Sequence, residues 1–268
     1  MPLRCLLACA AALMICPAAA DESPARTREQ SAADERRLQI IGRTADAYTL
    51  YDAGSADQPL TRSEKPLLRF DDPVTLAAQG AVYVWLDQEK RPLAIASIYF
   101  RGGDGARVDE FQSLAVGNLV ARYQDAVVWR PSQPGVAWTN LPGDVPQRGP
   151  LRLAKMRDLA RQFAASVSDA KAGRQELRLL PQPLYRYDDV EHGIVDSALF
   201  CFAKGTNPEI LLLLAAVKGE SRTEWRHAFC RMTERECEVK SDGRVVWAVS
   251  KAPIPQPPED PYFNRTTK

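Results

Sequence analysis

The chain has 268 residues, 45% of them apolar and 26% charged, with a formal net charge of +1 at pH 7. That balance excludes a disordered polymer, a collagen-like repeat and a multi-span membrane protein. It also argues against a nucleic-acid partner held by bulk positive charge. The length fits one large domain or two small ones, and 20 prolines with 15 glycines point to many turns.

Residues 1–20 read as a signal peptide. Arg4 precedes the apolar run CLLACAAALMIC, and Ala18, Ala19 and Ala20 form a small-residue cleavage site before Asp21. The run is too short for a membrane span, so no transmembrane segment is expected in the mature chain. The expected location is the periplasm or cell envelope. Lipid anchoring through Cys9 or Cys16 is a minor alternative. Cys201, Cys230 and Cys237 remain after cleavage. Export permits a disulfide. A Cys230–Cys237 bridge across a turn, a bridge from Cys201 to either, and three buried thiols all stay open.

Residues 21–40 are charged and poor in large apolar groups, so a flexible leader is expected, with a short amphipathic helix as the alternative. A β-rich domain is expected over 41–252. AVYVWL (81–86) and LAIASIYF (93–100) are apolar on both faces and predict a central hairpin. Leu119–Ala121 and Ala126–Trp129 are candidates to pair around Gln124-Asp125. Residues 151–171 carry Leu153, Met156, Ala160, Phe163 and Val167 at helical spacing, with Pro150 before and Gly173 after. A helix over 151–171 packed on a sheet is expected.

IVDSALFCFA (194–203) and ILLLLAAV (210–217) predict two more central strands, and Asp242-Gly243 a hairpin turn. Residues 253–268 form a proline-rich tail without regular structure. No repeat of fixed period is visible, although the helix could join two halves of the chain. The expected fold is mainly β, an antiparallel two-sheet sandwich-like body with one amphipathic helix packed on it; α+β is the alternative.

The chemistry-bearing residues are few. Only His192 and His227 are present, without metal-ligand spacing, so neither a metal nor a cofactor is expected. His192 lies in an acidic loop beside Asp188, Asp189 and Glu191 and is a weak catalytic candidate. Asp109, Glu110, Asp196 and Glu209 sit near strand edges, where two acids could face each other across a cleft. Glu110 and Asp196 are the weak catalytic candidates among them; Asp196 interrupts an apolar run and needs a partner or a polar cavity. Of five tryptophans, Trp129 and Trp138 lie in short polar surroundings and are the weak ligand-binding candidates.

The segments LLRFDDPV, GAVYVWLDQEKRPLAIASIY, EFQSLAV, AKMRDLARQFAA, ELRLLPQPLYRY, GIVDSALFCFAKGTNPEILLLLAA and DGRVVWAV resemble a group of exported, uncharacterised proteins of planctomycete bacteria. The resemblance runs over most of residues 60–250. It implies one exported unit in a periplasmic or envelope setting, and carries no activity, substrate or catalytic residue. Two functions follow as expectations. One is an exported β-rich module that binds a cell-envelope component or a partner protein. The alternative is a hydrolase acting on envelope glycan through paired carboxylates.

Overall fold

A computed structural model describes residues 28–55, 58–71, 77–102, 105–170 and 172–267. The expected signal peptide and the first part of the leader lie outside the described residues. The described residues are mainly β, with several antiparallel sheets and two α-helices.

The first part runs α1 (Arg28–Asp46), β1 (Tyr48–Asp52), β2 (Thr61–Arg62), β3 (Leu68–Phe70), β4 (Ala77–Leu86), β5 (Pro92–Arg101), β6 (Arg107–Ser113), β7 (Leu119–Tyr123), β8 (Ala126–Trp129) and β9 (Thr139–Leu141). The second runs α2 (Gly149–Ala160), β10 (Phe163–Asp169), β11 (Gly173–Glu176), β12 (Arg178–Leu179), β13 (Tyr185–Asp189), β14 (Ile194–Lys204), β15 (Asn207–Lys218), β16 (Thr223–Arg231), β17 (Glu236–Ser241), β18 (Arg244–Val249) and β19 (Tyr262–Thr267).

The hairpins β4–β5 and β14–β15 form the centres of two six-stranded sheets, ordered β19-β6-β5-β4-β2 and β12-β14-β15-β16-β9, with β3 and β13 also on β4 and β14. Their apolar residues alternate between two cores, because successive side chains leave a strand on opposite faces. Val82 and Ile95 meet Leu199, Cys201, Leu211 and Leu213 in a central core shared by both sheets. The outer face of the first sheet, with Tyr83, Trp85 and Phe111, is covered by α1 and by the small sheet β1-β7-β8. The outer face of the second, with Phe200, Phe202 and Leu212, is covered by α2 and by the sheet β11-β10-β17-β18.

The two parts of the chain are built alike. Each opens with a helix and a strand, and that strand pairs with the first strand of a later hairpin, as β1 with β7 and β10 with β17. Both hairpins, β7–β8 and β17–β18, carry a register shift at corresponding places, after Ala121↔Trp129 and after Val239↔Trp247. Their turns, Gln124-Asp125 and Asp242-Gly243, share positive φ angles of 47° and 69° and of 49° and 75°. Arg62 pairs with Trp85 as Leu179 pairs with Phe202; Phe70 pairs with Gly80 as Tyr187 pairs with Ser197. With this correspondence in hand, the sequence repeats become visible: PLLRFDD against PLYRYDD, and AVVW against RVVW. The expectation of no repeat is corrected. Identity survives only at scattered turns and anchors, while the cores exchange one apolar residue for another.

Each half also completes the other. β9, which follows the first half, adds to the edge of the second sheet at β16. β19, which follows the second half, adds to the edge of the first sheet at β6. The connector 130–138 leads to β9, and the longer connector 250–261 leads to β19. Gly135 sits where the first connector crosses β6; a Cβ there would lie 2.0 Å from the Ser113 carbonyl oxygen.

Three boundaries differ from expectation. α1 takes in much of the leader expected to be flexible, because Ile41 and Ala45, one turn apart, are fully buried on the first sheet. α2 ends at Ala160 rather than continuing to 171. Phe163 and Val167 are four apart, and that spacing puts them on one face of a strand as well as of a helix; Ala165 between them is buried too, which is the period of a strand. The tail is irregular only through its prolines. Beyond Pro261 the aromatic and threonine-rich YFNRTT forms β19. Of the three arrangements left open for the thiols, the structure has the three buried thiols. Cys201, Cys230 and Cys237 are all free and buried, with Cys201 and Cys230 in the central core and Cys237 in the outer one, so Cys230 and Cys237 face different cores.

Gly135→Ala is expected to cost about 2–3 kcal/mol, since buried backbone must move to admit the methyl group. Because the halves share a core and exchange edges, its urea transitions followed by tryptophan fluorescence and by far-UV circular dichroism should shift together. Two separated transitions would contradict that coupling.

Candidate functional site

The structure ties the three catalytic candidates to separate partners. Glu110 on β6 is buried and accepts a hydrogen bond from the Tyr262 hydroxyl of β19. Burial pushes its carboxyl up to about 8, and the charges of Glu209 and Glu234 act in the same direction. Asp196 is gripped by two arginines. Arg186 donates from Nε at 2.8 Å and from Nη2 at 2.7 Å, and Arg152 from Nε at 2.9 Å. That answers the need for a partner in its apolar strand. The His192 Nδ1 lies 3.0 Å from the buried Asp189, whose Oδ1 also accepts the His192 backbone N–H, so the pair closes the β13–β14 turn.

Of the four acids expected near strand edges, the sheets bring two together. Glu110 and Glu209 both act on the buried Tyr99 hydroxyl, raising its pKa after burial itself. Glu209 is wholly buried, and Arg235 Nη1 donates to it at 3.0 Å. Burial still raises the Glu209 pKa, against the opposing effect of Arg235. Asp109 is elsewhere, bound by the Tyr48 hydroxyl at 2.7 Å and by Arg107 at 2.8 and 3.1 Å. Among the described residues no cluster of histidine, cysteine and carboxylate side chains is arranged to hold a metal ion. Burial raises all three thiols, Cys237 to about 12, which disfavours the nucleophilic thiolate.

The structure separates the two tryptophan candidates, and only Trp129 is closed off from any ligand. Trp129 is completely buried in the first outer core, and its indole N–H donates to the Asp260 carbonyl at 2.9 Å. The polar residues around it in sequence hid a cover that comes from the distant 257–261 segment. Trp138 is half-buried against the central core and lines a small hollow of 150 Å³. The tryptophan that reaches a larger open space is Trp247, on the sheet-edge strand β18.

Trp247 lines a groove of 370 Å³ between the two connectors. Phe229 forms its floor, with the ring centroids 5.9 Å apart. Pro134 and Gly135 of the first connector and Pro253 and Pro261 of the second form its sides. Trp247 and Arg231 bring polar side chains to its lining. The Trp247 indole N–H has no hydrogen-bond partner among the described residues. Arg231 packs its guanidinium 5.4 Å from the Tyr262 ring and donates from Nη2 to the carbonyls of Arg235 and Ser250, both at 2.6 Å, yet its Nε is buried without a partner. A buried donor left unpaired costs free energy unless something satisfies it. Exposed Val245, Val246 and Ile254 extend apolar surface on β18 and the second connector. Sequence reasoning missed Trp247 and Arg231 because both stand in apolar strands that read as core. The recurrence of VVW at Trp129 and Trp247 was the available signal.

A folded pKa raised to about 8 means that Glu110 keeps its proton where the unfolded chain, near 4.5, has lost it. Its contribution is complete below that lower value and is lost as pH rises through about 8. Glu110→Gln should therefore raise the Tm at pH 8 more than at pH 5; an equal change at both would show Glu110 to be an ordinary carboxylate. Asp196→Asn should cost about 2–4 kcal/mol in urea unfolding, by leaving two arginines without their shared charge. A loss within 0.5 kcal/mol, as at an ordinary surface site, would place that ion cluster outside the stabilising framework.

No protein-family model, no curated protein and no solved structure matched the chain, so the geometry of the groove stands without a relative to interpret it.

Proposed function

We propose that the chain is an exported, non-enzymatic β-rich module that binds a cell-envelope component or a partner protein, in the groove beside Trp247. We read its body as a sandwich of the two six-stranded sheets, which act as a rigid frame for that groove. The observation that carries the reading is a concave space walled by Trp247, Phe229 and prolines of both connectors, in which the Trp247 indole N–H has no hydrogen-bond partner among the described residues. A concave space that combines aromatic rings with a few polar groups is suited to ligand recognition.

Export rests on the signal-peptide pattern of residues 1–20 and on the resemblance to exported planctomycete proteins. No helix among the described residues is long and apolar enough to cross a membrane. The alternative, a glycan hydrolase with paired carboxylates, has Glu110 and Glu209 as its pair. Both acids are buried, and Tyr262 holds Glu110, so that reading requires β19 to move before substrate reaches them.

Residues 21–268 should bind a soluble envelope glycan or a peptide ligand with a change in tryptophan fluorescence, and Trp247→Ala should weaken that binding at least about tenfold, as for a buried aromatic anchor. Binding that survives Trp247→Ala unchanged would remove the groove from the function. Turnover of glycan that is abolished by Glu110→Gln would replace the binding module with the hydrolase.

A further inference from the structure

The internal duplication lets one half of the molecule interpret the other. Tyr48, Phe111 and Trp129 in the first half correspond to Phe163, Phe229 and Trp247 in the second. The two trios have matching ring separations: 4.7 and 5.6 Å in the first, 5.0 and 5.9 Å in the second. In the first half, a segment of the chain itself covers the tryptophan.

That segment is Pro257-Pro258-Glu259-Asp260-Pro261, turned back on itself through a hydrogen bond from the Asp260 N–H to the Pro257 carbonyl at 3.1 Å. It offers four consecutive carbonyls to the first half. The Pro258 oxygen accepts from the Arg130 N–H at 2.8 Å and the Glu259 oxygen from the Ser132 N–H at 3.0 Å. The Asp260 oxygen accepts from the Trp129 indole at 2.9 Å. The Pro261 oxygen accepts from the Ser113 N–H at 2.8 Å.

The second half lacks this cover because its connector, 130–138, is shorter than 250–261. It crosses to β9 and leaves the space over Phe229 and Trp247 open as the groove. Resting on the reading of the groove as a binding site, we infer that it takes a proline-rich, turn-forming segment of a partner protein, seated on Trp247 as residues 257–261 are seated on Trp129.

The chemistry favours that class of ligand. The Trp129 indole N–H donates to the Asp260 carbonyl, and the corresponding Trp247 indole has no hydrogen-bond partner among the described residues, so a ligand seated as 257–261 is seated brings an acceptor. Proline has no backbone N–H, and a proline-rich segment therefore presents carbonyls with few donors left unpaired. Its restricted φ lowers the entropy lost on binding, and its ring packs on an aromatic floor.

The test uses residues 21–268 and a synthetic peptide of the chain's own sequence QPPEDPYF, acetylated and amidated, titrated by calorimetry. Saturable binding is expected with a Kd on the order of 10–500 µM. Replacing the prolines of the peptide by alanine should weaken it at least about tenfold. Trp247→Phe keeps the ring but removes the N–H, and should weaken binding about three- to tenfold with an unchanged circular dichroism spectrum.

If neither peptide binds but a glycan oligomer does, with loss in Trp247→Ala, the groove stands as a binding site and the proline-rich ligand is overturned. If the alanine peptide binds as well as the native one, the inference also fails. If nothing binds, both the inference and the reading beneath it fail. A dimer of the chain alone that Trp247→Ala dissociates would make a second copy the occupant and overturn the partner protein.

Discussion

The structure depends on an exchange of edge strands. A six-stranded sheet with an open edge exposes unpaired N–H and C=O groups, and such an edge is a hazard as well as a loss. Here β6 is covered by β19 and β16 by β9, so each half is finished by a strand that belongs in sequence to the other. The central core follows from this. Val82 and Ile95 are held against Leu199 and Leu213 between sheets that cannot part without breaking the exchanged ladders. The close crossing at Gly135, the hold of Tyr262 on Glu110 and the cover over Trp129 are all consequences of connectors routed across the joint.

Much of the framework was legible in the sequence. The β4–β5 and β14–β15 hairpins were readable because their apolar runs lack a polar face, the turn at Gln124-Asp125 because two apolar runs flank it, and the turn at Asp242-Gly243 because Asp-Gly favours a hairpin. The end of α2 was not, since a spacing of four satisfies both periods. The duplication was hidden because burial preserves volume and polarity rather than identity: Trp85 faces one outer core where Phe202 faces the other.

The site was less legible than the fold. Glu110 was selected as an acid near a strand edge, and it is one, but its fate is decided by Tyr262, far away in the chain. Trp129 and Trp247 stand in nearly the same words, AVVW and RVVW, yet one is sealed and the other open. What separates them is the length of a connector, which no local pattern of residues records.

The strand exchange described above has an evolutionary reading. Two copies of one such half, each lending its edge strand to the other, would form a symmetric dimer, and in it every substitution would alter both aromatic sites at once. Joined in a single chain, the copies are released from that symmetry. One connector could lengthen into a permanent cap over Trp129 while the other stayed short over Trp247. Covalent fusion thus converts a pair of identical hollows into one that serves stability and one that is free to be specialised.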